Sequence, residues 1–179
     1  MKRRKALSVL LWGAGGAIAV PGILLSGCKN EERHKGALTV DDVPLLNEIA
    51  ETIIPANGSS PGAKDAKVGE FLVGYVADCY SEKDQQLFIG GLNKINSASK
   101  EKYGNTFLKL DAKQKHELLS AIDSEAKKEK GHYFSMMKDA TLFAWSTSEI
   151  GATKGLRYVQ TPGRWDADVP YKKGDKCWA

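Results

Sequence analysis

The stretch LTVDDVPLLNEIAETIIPA, residues 38–56, decides the fold class. Leu45, Leu46, Ile49, Ile53 and Ile54 recur at steps of three and four, the period of a helix with one apolar face. Thr39 and Asp42 have the spacing of a helix start, and Pro55, which has no N–H and a fixed φ, supplies the stop. A helix of this length gains most of its stability by burying that face against other elements, so the rest of the chain must supply partners.

The partners are read in the same way. NGSSPGAKDA, residues 57–66, is dense in turn residues and reads as a loop. After it, Val68, Phe71, Leu72, Tyr75, Val76 and Cys79 are expected on one face of a second helix. A third starts at Ser81, with Asp84 three residues on, and carries Leu87, Phe88, Leu92 and Ile95; Gly90-Gly91 inside it is a soft spot or a place of close helix approach. Asp111 and Gln114 have capping-box spacing ahead of Leu118, Leu119 and Ile122 in a fourth. A fifth, from His132 to about Trp145, offers Phe134, Met137, Leu142 and Phe143 to the core. No segment alternates with period two. The expected class is all-α, a small bundle of about five helices followed by a long irregular aromatic tail.

In that tail, residues 146–179, glycines, prolines and aromatics are mixed without a period. It must lie against something: either it wraps its own helices, or residues such as Tyr158, Pro162, Trp165 and Tyr171 fill pockets on a partner, as aromatic side chains commonly do at interfaces.

The N-terminus reads as an address. Lys2, Arg3, Arg4 and Lys5 precede an apolar run over residues 6–25, and Leu25-Ser26-Gly27-Cys28 matches a bacterial lipobox. Cleavage there leaves a lipid-bearing Cys28 as the new N-terminus and a mature chain of 152 residues. A spanning helix is the alternative, weakened by three glycines and a proline-glycine pair within the run. Arg3-Arg4 ahead of a weakly hydrophobic Gly/Ala-rich segment suggests the twin-arginine route, with general secretion as the alternative, because Lys2 and Ala6 depart from that motif. The domains expected are the export signal at 1–27, a charged flexible tether at 28–37 and a single helical domain at 38–179. The product is expected in the cell envelope, lipid-anchored to a membrane on the periplasmic or outer side.

The signal holds four of the 26 basic residues and none of the 22 acidic ones, so the mature chain has 22 of each and no net charge. That gives no support to a nucleic-acid footprint. Cys79 and Cys177 make an even pair in an exported chain, either as a disulfide or with Cys79 a small buried hydrophobe on a helix and Cys177 a free residue near a frayed end. Catalytic residues and metal ligands are expected to be absent. His34, His116 and His132 are scattered, no Cys-x-x-Cys-His attaches a haem, no glycine-rich phosphate loop follows a strand, and Asp166 with Asp168 is a lone pair of carboxylates.

LLNEIAETIIPA, SPGAKDAKVGEFL and TLFAWSTSEIGATKGLRYVQTPGRWDADVP together resemble the gluconate 2-dehydrogenase small-subunit (subunit 3) family, over roughly residues 38–170. The most specific parts are Ile54-Pro55-Ala56 with Pro61-Gly62-Ala63 and Asp65-Ala66, and 147–151 leading to Pro162-Gly163. The resemblance implies a non-catalytic accessory subunit of an FAD-dependent sugar or polyol dehydrogenase. The partner it implies is a large flavoprotein of the glucose-methanol-choline type, carrying the FAD, often with a cytochrome c subunit carrying haem c. It also implies a carrier role, in which one signal exports two folded proteins; the lipobox departs from the family pattern and adds a membrane tether. Without a partner, the same sequence reads as a free-standing helical lipoprotein that binds a sugar or an envelope component.

Overall fold

The computed structural model describes residues 36–161, Gly163 and 168–178. The export signal with Arg3, Arg4, Leu25, Ser26, Gly27 and Cys28, the tether up to residue 35, and Pro162 and Trp165 of the tail lie outside the described residues. Among the described residues five α-helices follow one another: α1 Val43–Ile53, α2 Val68–Cys79, α3 Glu82–Tyr103, α4 Ala112–Ala126 and α5 Tyr133–Thr147. Short 3-10 turns at Val40–Asp42 and Phe107–Lys109 lead into α1 and α4, and a π-helical turn at Gly151–Gly155 follows α5. Among the described residues no strand forms; the fold is all-α, as the periodicity predicts.

Local chemistry places the helix ends. The Thr39 amide and hydroxyl donate to Asp42 Oδ2 at 2.8 and 3.2 Å, and Pro44 occupies the first turn, where an N–H would have no partner in the helix. Ser81 Oγ accepts from the Asp84 amide at 3.3 Å. Asp111 and Gln114 close a reciprocal box, with Gln114 N donating to Asp111 Oδ1 at 2.8 Å and Asp111 N to Gln114 Oε1 at 3.2 Å. His132 is the cap of α5: its Nδ1 accepts from the Phe134 amide at 3.2 Å. At the other end of α3, Gly104 turns the chain at φ 71°, a left-handed conformation that only glycine adopts without penalty.

The core lies where the inner faces of the helices meet. Leu46 and Ile49 of α1, Leu72 and Val76 of α2, Phe88, Leu92 and Ile95 of α3, Leu118 and Ile122 of α4, and Phe134 and Met137 of α5 are all buried, with Phe107 from the 3-10 turn among them. Burying each such side chain contributes about 1.5–3 kcal/mol, so this set is what holds the helices together. At Gly91 a Cβ would stand 2.3 Å from Tyr133 Cδ2 and 2.8 Å from Met137 Cε, so the glycine lets α3 and α5 approach closely. Nothing lies near the corresponding position of Gly90. Of the two readings of Gly90-Gly91, close approach is the one realised, and by Gly91 alone.

Candidate functional site

Described parts of the segments that carry the family resemblance, 51–64 with Trp145, Gly151 and Gly155, fold into one knot. Glu51, late in α1, accepts from the amides of Ala56 at 2.9 Å and Lys64 at 2.8 Å, which folds the 54–64 loop back over the helix end. The Ala63 amide also donates to Ile54 O at 3.0 Å. Gly62 packs so tightly that a Cβ would meet the Glu51 carboxylate oxygens at 2.4 and 2.5 Å. From the far end of the domain, Trp145 Nε1 donates to Pro61 O at 3.1 Å. Gly155 lies on the same indole, a Cβ there falling 2.4 Å from Trp145 Cζ2, and Gly151 lies against the Trp145 carbonyl. Each of these residues serves packing or hydrogen bonding. An open cleft of about 390 Å³ beside the knot is lined by Asp65, Lys67, Ser148, Glu149 and Lys154 among others. Lys67 there holds φ 52°, unusual for a residue with a side chain.

Charge is paired rather than poised. Burial pushes the Glu48 carboxyl up, but hydrogen bonds and charge from Lys115 and Lys64 outweigh it and hold the group below its ordinary value; Lys115 Nζ stands 2.8 Å from Glu48 Oε2. Asp123 is held down first by Lys127 and then by Lys138. His116 is exposed on α4 and borders a cleft with Asp123, while His132 is committed to capping. Among the described residues no group of three His, Cys, Asp or Glu side chains is arranged to hold a metal ion.

Both aromatic and aliphatic side chains stand at the surface. Phe71 is 43 % exposed, Phe143 45 % and Leu142 56 %, although their spacing suggested core positions. The correction has a physical reason. Helix α2 carries two i, i+4 stripes, Val68-Leu72-Val76 and Phe71-Tyr75-Cys79; the first is buried, while in the second only Tyr75 packs partly against the core and Phe71 and Cys79 are exposed, and adjacent stripes merge into one broad face in a sequence. On α5, likewise, Ala140, Thr141 and Ala144 turn inward and Leu142 and Phe143 outward. Phe71 stacks on Tyr75 at 5.4 Å between centroids, Tyr75 on Phe143 at 5.1 Å, and Phe71 meets Phe143 at 6.2 Å. Tyr75 meets Tyr80 edge-on at 5.5 Å, and Tyr80 reaches the buried Phe88 at 6.2 Å.

In the tail, Tyr158 is 52 % and Tyr171 78 % exposed, on irregular backbone. The last residues return to the end of the π-turn: the Arg157 amide donates to Cys177 O at 2.7 Å, and the Arg157 guanidinium stacks over Trp178 at 4.2 Å. Cys79 and Cys177 are both free and exposed, so the disulfide weighed for them is not made in the structure and Cys79 is not a core residue. Asp168 lies in the tail; Asp166 is outside the described residues.

A family model described as Gluconate 2-dehydrogenase subunit 3 matches residues 41–163, which takes in all five helices and the knot around Trp145. A search of the curated proteins and of the solved structures finds no match to the chain.

Proposed function

Because the chain belongs to the gluconate 2-dehydrogenase subunit 3 family, whose members are accessory subunits of an oxidoreductase complex, we propose that it is the non-catalytic small subunit of a membrane-associated, FAD-dependent sugar or polyol dehydrogenase. The match over residues 41–163 carries this reading. The chain's own chemistry is consistent with it: capped helices, paired charges and packed glycines build a scaffold, while aromatic side chains remain at the surface for a partner. In this reading a glucose-methanol-choline-type flavoprotein holds FAD and removes hydride from the alcohol, and electrons leave through a cytochrome c subunit with haem c or through a quinone. The small subunit contributes export through Arg3 and Arg4, a lipid anchor at Cys28, and support for the folded flavoprotein. No described helix is long and apolar enough to cross a membrane.

The test is purification of the tagged chain from its native membranes in mild detergent, with an absorption spectrum of the eluate. A stoichiometric large partner with a flavin spectrum is the expected result. A lone colourless lipoprotein, obtained repeatedly, would instead identify a free-standing binding module. Cys28→Ala is expected to move the protein from the membrane pellet to the soluble fraction, and unchanged fractionation would remove the anchor from the reading.

A further inference from the structure

The aromatic face of α2 and α5 is a built surface rather than a scatter of exposed side chains. Phe71, Tyr75 and Phe143 contact one another across two helices, and through Tyr80 the cluster continues into buried Phe88. Rings interlocked in this way have little rotamer freedom left to lose when a partner covers them, which makes them strong anchors. Tyr158 and Tyr171 of the tail sit on irregular backbone outside the helices and lack that support. Apolar patches of this kind on soluble proteins mark interaction sites.

The border of the patch is charged, and mostly of one sign at one end. Asp78 follows Tyr75 by three residues on α2, and Asp139 precedes Phe143 by four on α5, spacings that put each carboxylate beside its ring; both are exposed. Asp84 adds to them. After burial and neighbouring Tyr75, the charges of Asp139 and Asp84 raise the Tyr80 phenol, which places both carboxylates within electrostatic reach of the cluster. Near Phe71, at the other end, Lys67 and Glu70 offset each other.

We infer, resting on the accessory-subunit reading, that this face is where the flavoprotein subunit docks, presenting an apolar hollow to Phe71 and Phe143 and lysine or arginine side chains to Asp78, Asp84 and Asp139. The rings supply affinity by leaving water, and the carboxylates supply orientation and speed of encounter.

The test uses the full chain co-expressed with its flavoprotein subunit, with the affinity of the purified pair measured at two salt concentrations. Phe71→Ser with Phe143→Ser is expected to weaken the pair at least about a hundredfold, because two central anchors are lost together. Asp78→Lys with Asp139→Lys is expected to weaken it more at low salt than at high salt. Helix content and melting temperature of each variant are measured alongside; all four positions are solvent-facing, and the charge variant removes no packing, so it decides the matter if the aromatic variant is destabilised. If both folded variants bind as tightly as the wild type, the docking face is wrong and the accessory-subunit reading stands. Variants that keep the flavoprotein but lose self-association would make this face a contact between copies of the chain, also overturning the inference. A wild-type chain that fails to pair with the flavoprotein overturns the accessory-subunit reading itself.

Discussion

Gly90 and Gly91 are adjacent in α3 and sit in opposite surroundings, so the same substitution should act with opposite sign. At Gly91 an added methyl meets the Tyr133 ring and the Met137 methyl, and overpacking of this sort costs about 1–3 kcal/mol. At Gly90 it meets nothing, and replacing a helix-interior glycine by alanine gains about 0.5–1 kcal/mol. Denaturant unfolding of Gly91→Ala and Gly90→Ala should show the first less stable and the second more stable than the wild type. The pair was legible as either a soft spot or a place of close approach; which of the two holds, and which member makes the contact, was not, because that depends on the rotation of α3 against α5. Glu48 gives a second prediction at this scale. Its folded pKa lies below the ordinary value of 4.5, so its ion pairs with Lys115 and Lys64 stabilise the fold fully above that value, and the contribution is lost as pH falls through the lowered one. Glu48→Gln should melt below the wild type at neutral pH, and the gap should close on acidification below about pH 4.5.

At the scale of elements, the helix starts at Thr39, Ser81 and Asp111 and the stop at Pro55 were readable, because caps and prolines act within a few residues. Two things were not. The outward stripe of α2 is apolar like its inward one, so Phe71 looks like core in a sequence, and the same holds for Leu142 and Phe143 on α5. The knot joins residues 84 positions apart through Trp145 Nε1 and Pro61 O, a separation over which local patterns carry no signal. The resemblance pointed at those segments without saying that they touch. Trp145→Phe keeps an aromatic ring but removes the Nε1 donor, leaving the Pro61 carbonyl with the Ser60 hydroxyl at 3.4 Å, which should cost about 0.5–1.5 kcal/mol. Trp145→Ala also empties the space under Gly155 and should cost about 3–5 kcal/mol. Hydrogen exchange locates the effect: the Ala63 and Lys64 amides, bonded to Ile54 O and Glu51, should lose protection in both variants while Leu92 and Ile95 in α3 are affected far less. Equal loss across the domain would mean that Trp145 supports the whole core rather than the loop.

For the whole molecule, the balance of charge and the placement of apolar groups divide the labour. All four basic residues ahead of Cys28 are unopposed by acids, and the remaining 22 of each sign cancel, so the formal excess of positive charge lies in the segment proposed as the export signal. A flavoprotein that folds around FAD before export cannot pass through a channel for unfolded chains, and one without its own signal must travel with a companion that has one. Arg3→Lys with Arg4→Lys tests this, because it preserves the positive charge that general secretion requires and removes the guanidinium pair that the twin-arginine route reads. The expected outcome is that both this chain and the FAD-loaded flavoprotein accumulate in the cytoplasm, measured by fractionation and flavin fluorescence, while a control protein exported by general secretion still reaches the envelope. Export of the small subunit alone in the variant would show that its signal works without the arginine pair and that only the passenger needs the folded-protein route. Normal location of both would mean that the flavoprotein reaches the envelope by means other than this signal.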